Sequence, residues 1–206
     1  MSLVGIIDYG LGNLRSVAGA VAKVGFEPVI SAEAETLWRC SKLILPGVGA
    51  FGDGMRNLEQ RGLVAPLTEM VREGGKPVLG ICLGSQLLTR SSEEFGEHQG
   101  LGWIAARVRQ FKPAEPELRV PHVGWNDLIQ VRPSPLFEEV PETALFYYVH
   151  SYFIEAESQD IVVGQCEYGT RFAAALECGN IYATQFHPEK SQRHGLTLLK
   201  NFLSRT

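Results

Sequence analysis

The sequence has few cysteines and no pattern that binds a metal. Its 206 residues contain four cysteines, no CxxC pair and no Cys/His spacing typical of a zinc site. Scattered cysteines of this kind are typical of a reducing compartment, where thiols stay free. We therefore exclude a zinc site and expect a protein that uses no metal and no cofactor.

An excess of positive charge and long apolar runs are also absent. The formal net charge is −4, from 19 basic and 23 acidic residues, which argues against a nucleic-acid or membrane-surface binder. No apolar run approaches the ~20 residues that span a bilayer. The chain opens directly into a strand pattern, without a basic leader or a cleavage site. We expect a cytoplasmic protein with no nucleic-acid and no membrane partner.

Short apolar runs alternate with amphipathic stretches in the first half of the sequence. The run 3–8 is apolar almost throughout, as in parallel strands covered on both faces. A helix predicted over 14–24 and strands at 26–30 and 42–45 follow it. At this length, the rhythm predicts one α/β domain over residues 1–206. Its sheet should be open, flavodoxin-like and mostly parallel, with helices on both faces.

The second half of the sequence predicts an antiparallel extension of this sheet. Strand patterns occur at 103–111 and 145–149, and three more follow with short turns, at 161–166, 172–176 and 181–186. The last three should form a meander at the edge of the sheet. We expect a compact loop at 121–126, an exposed proline-rich connection at 112–117 and a closing helix at 192–203.

The stretch 77–88 has the form of a nucleophile elbow, a strand that turns sharply into a helix. Gly80 and Gly84 flank Cys82 where strand and helix backbones pass too close to accommodate a Cβ. The N-terminus of the following helix favours a thiolate and supplies free N–H donors. An isolated cysteine is usually a small buried hydrophobe, but the flanking glycines favour a nucleophile here.

A base and an orienting acid for this thiol occur near the C-terminus. His187 follows an apolar strand pattern, and Pro188 keeps the chain extended, so that His187 and Glu189 point the same way. The carboxylate can hold one ring nitrogen and leave the other for the thiol. A histidine so placed is more often structural, but together with the elbow it predicts a Cys–His–Glu triad. His98 and His194 lack this arrangement, and we interpret them as solvated.

The glycine-rich segment 46–54 has two interpretations besides a plain turn. The spacing of Gly47, Gly49 and Gly52 matches a dinucleotide-binding fingerprint. We reject it because the segment follows the third strand and the next strand ends in Cys82, not in an acid for a ribose. We favour a flexible backbone segment beside Cys82, whose N–H groups face a developing oxyanion.

These motifs resemble those of class I glutamine amidotransferases. The elbow and the sequence QFHPE at 185–189 carry the resemblance. Further segments resemble the glutaminase subunits of imidazole glycerol phosphate synthase, an enzyme of histidine biosynthesis; they lie at 8–16, 45–52, 121–126, 149–152 and 188–192. The resemblance covers essentially the whole chain. Ser85, where these subunits more often have methionine, and Val123 depart from the pattern, but neither belongs to the triad.

The resemblance implies hydrolysis of L-glutamine through a covalent intermediate. Cys82 would attack the side-chain amide, while His187, oriented by Glu189, would protonate the leaving ammonia and then activate water. The resemblance also implies oxyanion donors at Gly47, Val48 and Leu83. The implied substrate-binding residues are Gly49, Gln86, Glu94, Ser151, Tyr152 and Phe153.

A partner protein is implied as well. In this family the ammonia passes to a (β/α)8-barrel cyclase, which forms imidazole glycerol phosphate and aminoimidazole carboxamide ribonucleotide. Here the cyclase would be a separate polypeptide in a heterodimer. Candidates for the partner-facing side are Asn13, Trp125, Tyr147 and Lys190. Their alternative interpretations are a helix N-cap, two core aromatics and a solvated lysine.

Three other functions remain compatible with the motifs. Another amidotransferase, supplying ammonia for anthranilate, aminodeoxychorismate or a nucleotide, would keep the triad but should lack the segment 8–16 and Trp125. A non-catalytic regulatory subunit would have an inert Cys82. A stand-alone cysteine hydrolase would be active without a partner.

Overall fold

A computed structural model of the chain describes residues 2–112 and 118–206. Residues 113–117 of the predicted exposed connection lie outside this described part. The strands, in chain order, are β1 Leu3–Ile7, β2 Glu27–Ser31, β3 Lys42–Gly47, β4 Val78–Cys82, β5 Ser91–Ser92, β6 His98–Gln99, β7 Ala106–Gln110, β8 His122–Asp127, β9 Ile129–Gln130, β10 Leu145–His150, β11 Tyr152–Ala156, β12 Val162–Glu167, β13 Arg171–Cys178 and β14 Ile181–Thr184.

Helices connect and cover these strands. They are α1 Leu14–Lys23, α2 Ala34–Arg39, α3 Phe51–Gln60, α4 Val64–Thr68, α5 Leu83–Leu87 and α6 Gln192–Arg205. A π-helical turn, Glu69–Glu73, follows α4 without a break, so residues 64–73 form a continuous helical segment. Short 3₁₀ turns occur at Pro135–Phe137, Gln159–Ile161 and Pro188–Lys190. The predicted first and last helices are confirmed.

Five parallel strands form one half of the large sheet. Their spatial order is β2-β1-β3-β4-β14, and every neighbouring pair is parallel. Alternate residues of a strand point to opposite faces, and here each face has its own core. Ile44 of β3 packs with α1 and α6 on one face, while its neighbours Leu43 and Leu45 pack with α2 and α3 on the other. The predicted α/β fold with helices on both faces is confirmed.

In the described part of the chain, the extension beyond β14 contains seven strands, which pair antiparallel except for the parallel pair β5 and β7. From β14 the sheet continues through β13, β11, β7, β5 and β6, and β12 and β9 join it beside β13. The predicted meander β12-β13-β14 exists, but its position at the sheet edge was wrong. Strand β14 lies in the interior of the sheet, between β4 and β13, because all four of its residues are buried and need cover on both faces.

The segment 121–126 was wrongly predicted to be a compact loop. Residues His122–Asp127 form β8, which pairs antiparallel with β10 over six residue pairs as a separate two-stranded ribbon. Gly124 and Asn126 are turn-type residues by propensity, but cross-strand pairing overrides propensity in a sheet. Helices α2 and α3 were not predicted. Helix α3 begins at Phe51, inside the segment interpreted as glycine-rich and flexible.

Helix α5 approaches β3 so closely that one position admits only glycine. A Cβ added to Gly84 would lie 1.7 Å from the carbonyl oxygen of Leu45. Backbone atoms cannot move away as a flexible side chain does, so any side chain at Gly84 would push α5 off the sheet. Because α5 begins directly after Cys82, this contact also sets the position of the elbow.

We predict opposite stability effects for two glycine-to-alanine substitutions. Gly84→Ala should lower the free energy of unfolding by ~3 kcal/mol or more, because the clash is with backbone. Gly19→Ala should raise it by about 0.5–1 kcal/mol, since alanine is the better helix former and a Cβ at this position of α1 meets nothing within 4 Å. Urea unfolding followed by circular dichroism measures both. Equal stability of the two variants would contradict this packing argument.

Candidate active site

The predicted strand–turn–helix at Cys82 is confirmed. Cys82 ends β4 and Leu83 begins α5. The φ of Cys82 is 54° and its ψ −113°, a left-handed conformation that is strained for a residue with a Cβ. The side chain is nearly buried, and its Sγ lies 3.9 Å from the carbonyl oxygen of Val149. The fold therefore accepts backbone strain to hold this thiol at the end of the central strand.

His187 and Glu189 form a buried pair just beyond the end of β14. Nδ1 of His187 lies 2.8 Å from Oε1 of Glu189, and the two side chains are 2% and 1% exposed. The predicted contact is present, although its geometric reason was partly wrong. His187 is extended, but Pro188–Lys190 is a 3₁₀ turn, so the turn and not a continued strand brings the carboxylate back to the ring.

The environment of His187 favours its charged form. Burial lowers the pKa of His187, but the favourable interactions of the imidazolium with Cys82 and Glu189 outweigh it and raise the pKa to about 9. Among the described residues, Nε2 of His187 and Oε2 of Glu189 are buried without a hydrogen-bond partner. Nδ1 of the imidazole is thus bonded to Glu189, while Nε2 is available to a group in the adjoining cavity.

One cavity contains the thiol and the imidazole together. Its volume is about 420 Å³, a size suited to a small molecule. It is bounded by the elbow, by the segment after β3 and by the end of β10. The lining residues are Val48, Gly49, Cys82, Leu83, Gln86, Glu94, Pro121, Val149, His150, Ser151, Tyr152, His187 and Lys190.

The segment predicted to hold an oxyanion lies beside the thiol. Gly47 pairs in register with Cys82 across β3 and β4. Val48 and Gly49 line the cavity, as does Leu83 at the start of α5. Gly49 has a φ of 101°, and a Cβ there would meet no atom within 4 Å. Glycine is therefore favoured at this position by the backbone conformation and not by close packing. Residues of two elements, the segment after β3 and the start of α5, thus border the same space.

Four of the other five predicted substrate-binding residues also line the cavity. Gln86, Glu94, Ser151 and Tyr152 do so, but Phe153 does not. The Phe153 ring packs on Phe111, at a centroid distance of 4.8 Å, because consecutive residues of β11 face opposite sides of the sheet.

Glu94 has a defined place on the cavity wall. Its Oε2 accepts a hydrogen bond from the backbone N–H of Phe51 at 2.7 Å. Burial raises the pKa of Glu94, and the Phe51 hydrogen bond opposes this shift. The carboxylate is thereby fixed at the start of α3 with one oxygen already bonded.

Three of the four candidate partner-facing residues form one cluster. The Trp125 and Tyr147 rings lie 6.0 Å apart, and the Lys190 ammonium lies 5.6 Å from the centre of the Tyr147 ring. Trp125 is 44% exposed, so its interpretation as a core aromatic was wrong. Asn13 lies elsewhere, at the N-cap position of α1, where its side chain makes no capping hydrogen bond.

Several residues at the site carried no assigned role in the sequence. Pro121, Val149 and His150 line the cavity, and the amide nitrogen of Gln185 lies 3.9 Å from Sγ of Cys82. The sequence indicated Gln185 only as part of the motif QFHPE and gave it no role of its own. The position of His150 depends on the pairing of β8 with β10, which no local pattern reveals.

Other kinds of site are sparse in the part of the chain that the structure describes. Over residues 2–112 and 118–206, no group of three or more His, Cys, Asp or Glu side chains is placed to hold a metal ion. None of the helices in these ranges has the length and apolarity needed to cross a bilayer. The four cysteines are free thiols.

Comparison with known proteins identifies the family. The family model described as "Glutamine amidotransferase class-I" matches residues 5–206. The chain belongs to the class I glutamine amidotransferases. Curated relatives include the imidazole glycerol phosphate synthase subunit HisH of Geobacter sulfurreducens, 50% identical over 206 residues and 98% of each chain. The HisH subunit of Moorella thermoacetica is 46% identical over 202 residues, which cover 98% of this chain and 94% of that relative.

Solved structures support the same amidotransferase fold. A crystal structure of a glutamine amidotransferase superposes with a TM-score of 0.76 at 20% identity, covering 97% of this chain and 96% of that one. PurLQS from Thermotoga maritima also superposes with a TM-score of 0.76 at 20% identity, covering 98% and 97%. At this identity the likeness establishes the fold alone.

We predict that His187 of this amidotransferase titrates far above an ordinary histidine. In wild-type protein its ring should lose its proton with a midpoint near 9. Glu189→Gln should lower the midpoint, because the amide cannot stabilise an imidazolium as a carboxylate does. The check is an NMR titration of ¹⁵N-labelled histidine in wild-type protein and in Glu189→Gln. An unchanged midpoint in Glu189→Gln would contradict the assigned cause.

Proposed function

We propose that this chain is the glutaminase subunit of an imidazole glycerol phosphate synthase. It hydrolyses L-glutamine to glutamate and ammonia and passes the ammonia to a cyclase for histidine biosynthesis. The observation that carries the proposal is the nucleophile elbow at Cys82 sharing one cavity with the buried His187–Glu189 pair. The relatives near 50% identity that bear the HisH name support this choice over other amidotransferases.

In the proposed mechanism, the Cys82 thiolate attacks the side-chain amide carbon of glutamine. His187, an imidazolium at neutral pH because its pKa is raised, donates its proton to the departing nitrogen, and ammonia leaves. The γ-glutamyl thioester remains on Sγ. The now neutral imidazole takes a proton from water, which attacks the thioester and releases glutamate. Glu189 orients the ring through both steps.

The negative charge on the tetrahedral intermediates needs N–H donors. Leu83 and Val48 line the cavity, and Gly47 is paired with Cys82, so the backbone N–H groups of Leu83 and of Gly47 or Val48 are the candidate donors. We assign the oxyanion hole to these two elements. Removing one donor from such a site typically costs ~10²–10³ in rate, so the position of the 47–48 peptide controls turnover.

We assign the polar end of glutamine to polar residues of the cavity lining. Glu94 supplies a carboxylate for the α-ammonium group, and its own position is fixed by the Phe51 N–H. Ser151 and Tyr152 supply polar groups for the α-carboxylate, and Gln86 stands one helical turn beyond the nucleophile. We leave Phe153 out of this set because its ring packs away from the cavity.

The ammonia acceptor is proposed to be a separate cyclase with a (β/α)8-barrel fold, held in a heterodimer. The cluster of Trp125, Tyr147 and Lys190 adjoins the site, since Lys190 lines the cavity and the Tyr147 ring lies 6.5 Å from the His187 ring. Further apolar side chains are exposed at Val48, Val120, Val123 and Leu145. Exposed apolar groups beside a catalytic cavity are typical of a docking surface. Asn13 stays a candidate for the margin of this surface.

A cytoplasmic location is part of the proposal. The mechanism requires Cys82 as a free thiol, and reducing compartments keep thiols in that form. All four cysteines are free in the structure. Oxidation of Cys82 would stop the proposed chemistry because the sulfur would no longer be a nucleophile.

We predict that Cys82→Ala loses glutaminase activity. Glutamate release by the complex with the cyclase and its nucleotide ligand should fall by about 10⁴-fold or more, because no covalent intermediate can form. The wild-type subunit alone should be weakly active and rise strongly in the complex. Cys166→Ala, which removes a buried thiol outside the cavity, is the matched control. Full activity of the subunit alone would favour a stand-alone hydrolase, and an inert wild type would favour a regulatory subunit.

We predict that Gly49→Ala blunts activation by the partner. Glycines on both sides of Val48 let the peptide between them rotate. The oxyanion donor can therefore point away from the cavity until the cyclase binds its nucleotide. We call this the gating hypothesis. A Cβ at Gly49 meets nothing, but its φ of 101° is unfavourable for alanine, so the effect should be conformational.

The activation ratio, complex over free subunit, should fall at least about tenfold in Gly49→Ala, given the ~10²–10³ attached to one donor. Gly62→Ala is the matched control, because Gly62 also has a positive φ, of 65°, in open space and lies outside the cavity lining. Normal activation of Gly49→Ala would contradict the gating hypothesis but would not affect the assignment of the triad.

A further inference from the structure

Two buried histidines outside the triad lie at the cavity, His150 in its lining and His122 behind it. His122 on β8 and His150 on β10 are direct neighbours across the ribbon, and both are less than a tenth exposed. Nδ1 of His122 and Nε2 of His150 lie 3.1 Å apart. Buried polar groups that are bonded to each other, and not to water, hold their surroundings in one arrangement.

The neighbouring groups decide which nitrogens carry the protons. The side-chain nitrogen of Asn126 lies 3.3 Å from Nε2 of His122 and 3.1 Å from the carbonyl oxygen of Glu167. A carbonyl only accepts, so this nitrogen is the amide donor, and Nε2 of His122 is an acceptor. The proton of His122 is then on Nδ1 and is donated to Nε2 of His150.

The direction of donation continues to the cavity. With Nε2 as acceptor, His150 carries its proton on Nδ1, which lies 2.7 Å from the carbonyl oxygen of Tyr152. We call Asn126, His122, His150 and the Tyr152 carbonyl the histidine network. Asn126 donates to His122, His122 to His150 and His150 to the Tyr152 carbonyl, which only accepts, so the network has one consistent set of protons.

The network is built to stay neutral. Burial lowers the pKa of His122 to about 4 and that of His150 to about 3. The His122 ring is stacked between Tyr148 and Tyr168, at centroid distances of 5.0 and 4.1 Å. A second proton on His150, at Nε2, would face the Nδ1–H group of His122 and repel it. At physiological pH both rings therefore keep the tautomers assigned above.

The far end of the network meets the proposed substrate-binding residues. The Tyr152 carbonyl accepts a second hydrogen bond, from Nε2 of Gln86 at 3.1 Å. The same Nε2 donates to Oε1 of Gln185 at 3.0 Å, and Nε2 of Gln185 lies 3.9 Å from Sγ of Cys82. Both N–H groups of Gln86 are thus occupied. No described residue donates to its oxygen, which is left as the acceptor beside the cavity.

We propose that His122 and His150 are positioning residues for glutamine binding. They fix the Tyr152 carbonyl, which fixes the Gln86 carboxamide with its oxygen toward an N–H group of the substrate. The inference rests on the proposed function, because it assigns glutamine to this cavity. His122 itself does not line the cavity, so an effect of its substitution on glutamine must be transmitted through His150 and Tyr152.

The test removes the His122 nitrogens while keeping an aromatic ring at that position. In His122→Phe the stack on Tyr148 and Tyr168 remains, but His150 loses the donor that selects its tautomer. In the complex with the cyclase and its nucleotide, KM for glutamine should rise about tenfold, the equivalent of one lost buried hydrogen bond. The change in kcat should stay below about threefold, because the triad is untouched.

Two further variants separate positioning from general destabilisation. His122→Gln can accept from Asn126 and donate to His150, so it should restore KM to within about threefold of wild type. Tyr168→Phe removes a hydroxyl that bonds the Arg119 carbonyl but keeps the ring on His122, and its KM should equal that of wild type. A His122→Phe variant with wild-type KM, or a His122→Gln variant as impaired as His122→Phe, would overturn the proposal.

Two measurements do not depend on turnover. In ¹⁵N NMR spectra of the wild-type complex, both His122 and His150 should be Nδ1–H tautomers; a predominant Nε2–H form of His150 would overturn the network even if His122→Phe failed to fold. Calorimetry in a Cys82→Ala background should show glutamine affinity falling about tenfold with His122→Phe. Glutamine binding without glutamate release by wild type would refute the proposed function alone, whereas no glutamine binding at all would refute both.

Discussion

The register between β4 and β14 is the constraint on which the site depends. Thr184 is paired with Ile81, so the residues that come after this pair, Cys82 at the end of β4 and Gln185 to His187 beyond β14, lie together at the carboxyl edge of the sheet. A shift by one residue would turn each side chain to the opposite face. The buried apolar residues of both strands forbid such a shift, and core packing thereby sets the distance between thiol and imidazole.

Strain and unsatisfied groups concentrate where the register puts the chemistry. Cys82 has a positive φ, and Nε2 of His187 and Oε2 of Glu189 are buried without partners in the described structure. Each of these features costs stability. They persist because Gly84 packs against the Leu45 carbonyl and because β4 is buried at every position. The surrounding core holds the elbow in a conformation that the local sequence alone would not adopt.

The β8–β10 ribbon has two faces with different tasks. Its outward face carries Trp125 and Tyr147, which we assign to the cyclase, and its inward face carries His122 and His150. Residues alternate between the faces because side chains in a strand do so. The histidine network thus lies one residue away from the proposed docking surface and ends on the residue that holds Gln86. Contact with a partner and binding of glutamine share one short structural element.

The sequence by itself determined the α/β alternation, the nucleophile elbow and the His187–Glu189 pair, because glycine spacing, apolar runs and a proline act locally. It did not reveal strand β8 or the interior position of β14, and it left open whether Trp125 is exposed. Those depend on which strands pair, and pairing is a property of residues far apart in the chain. Only the tertiary structure separated Phe153 from the cavity and joined His122 to His150. A hydrogen bond across a ribbon has no signature in either strand read alone.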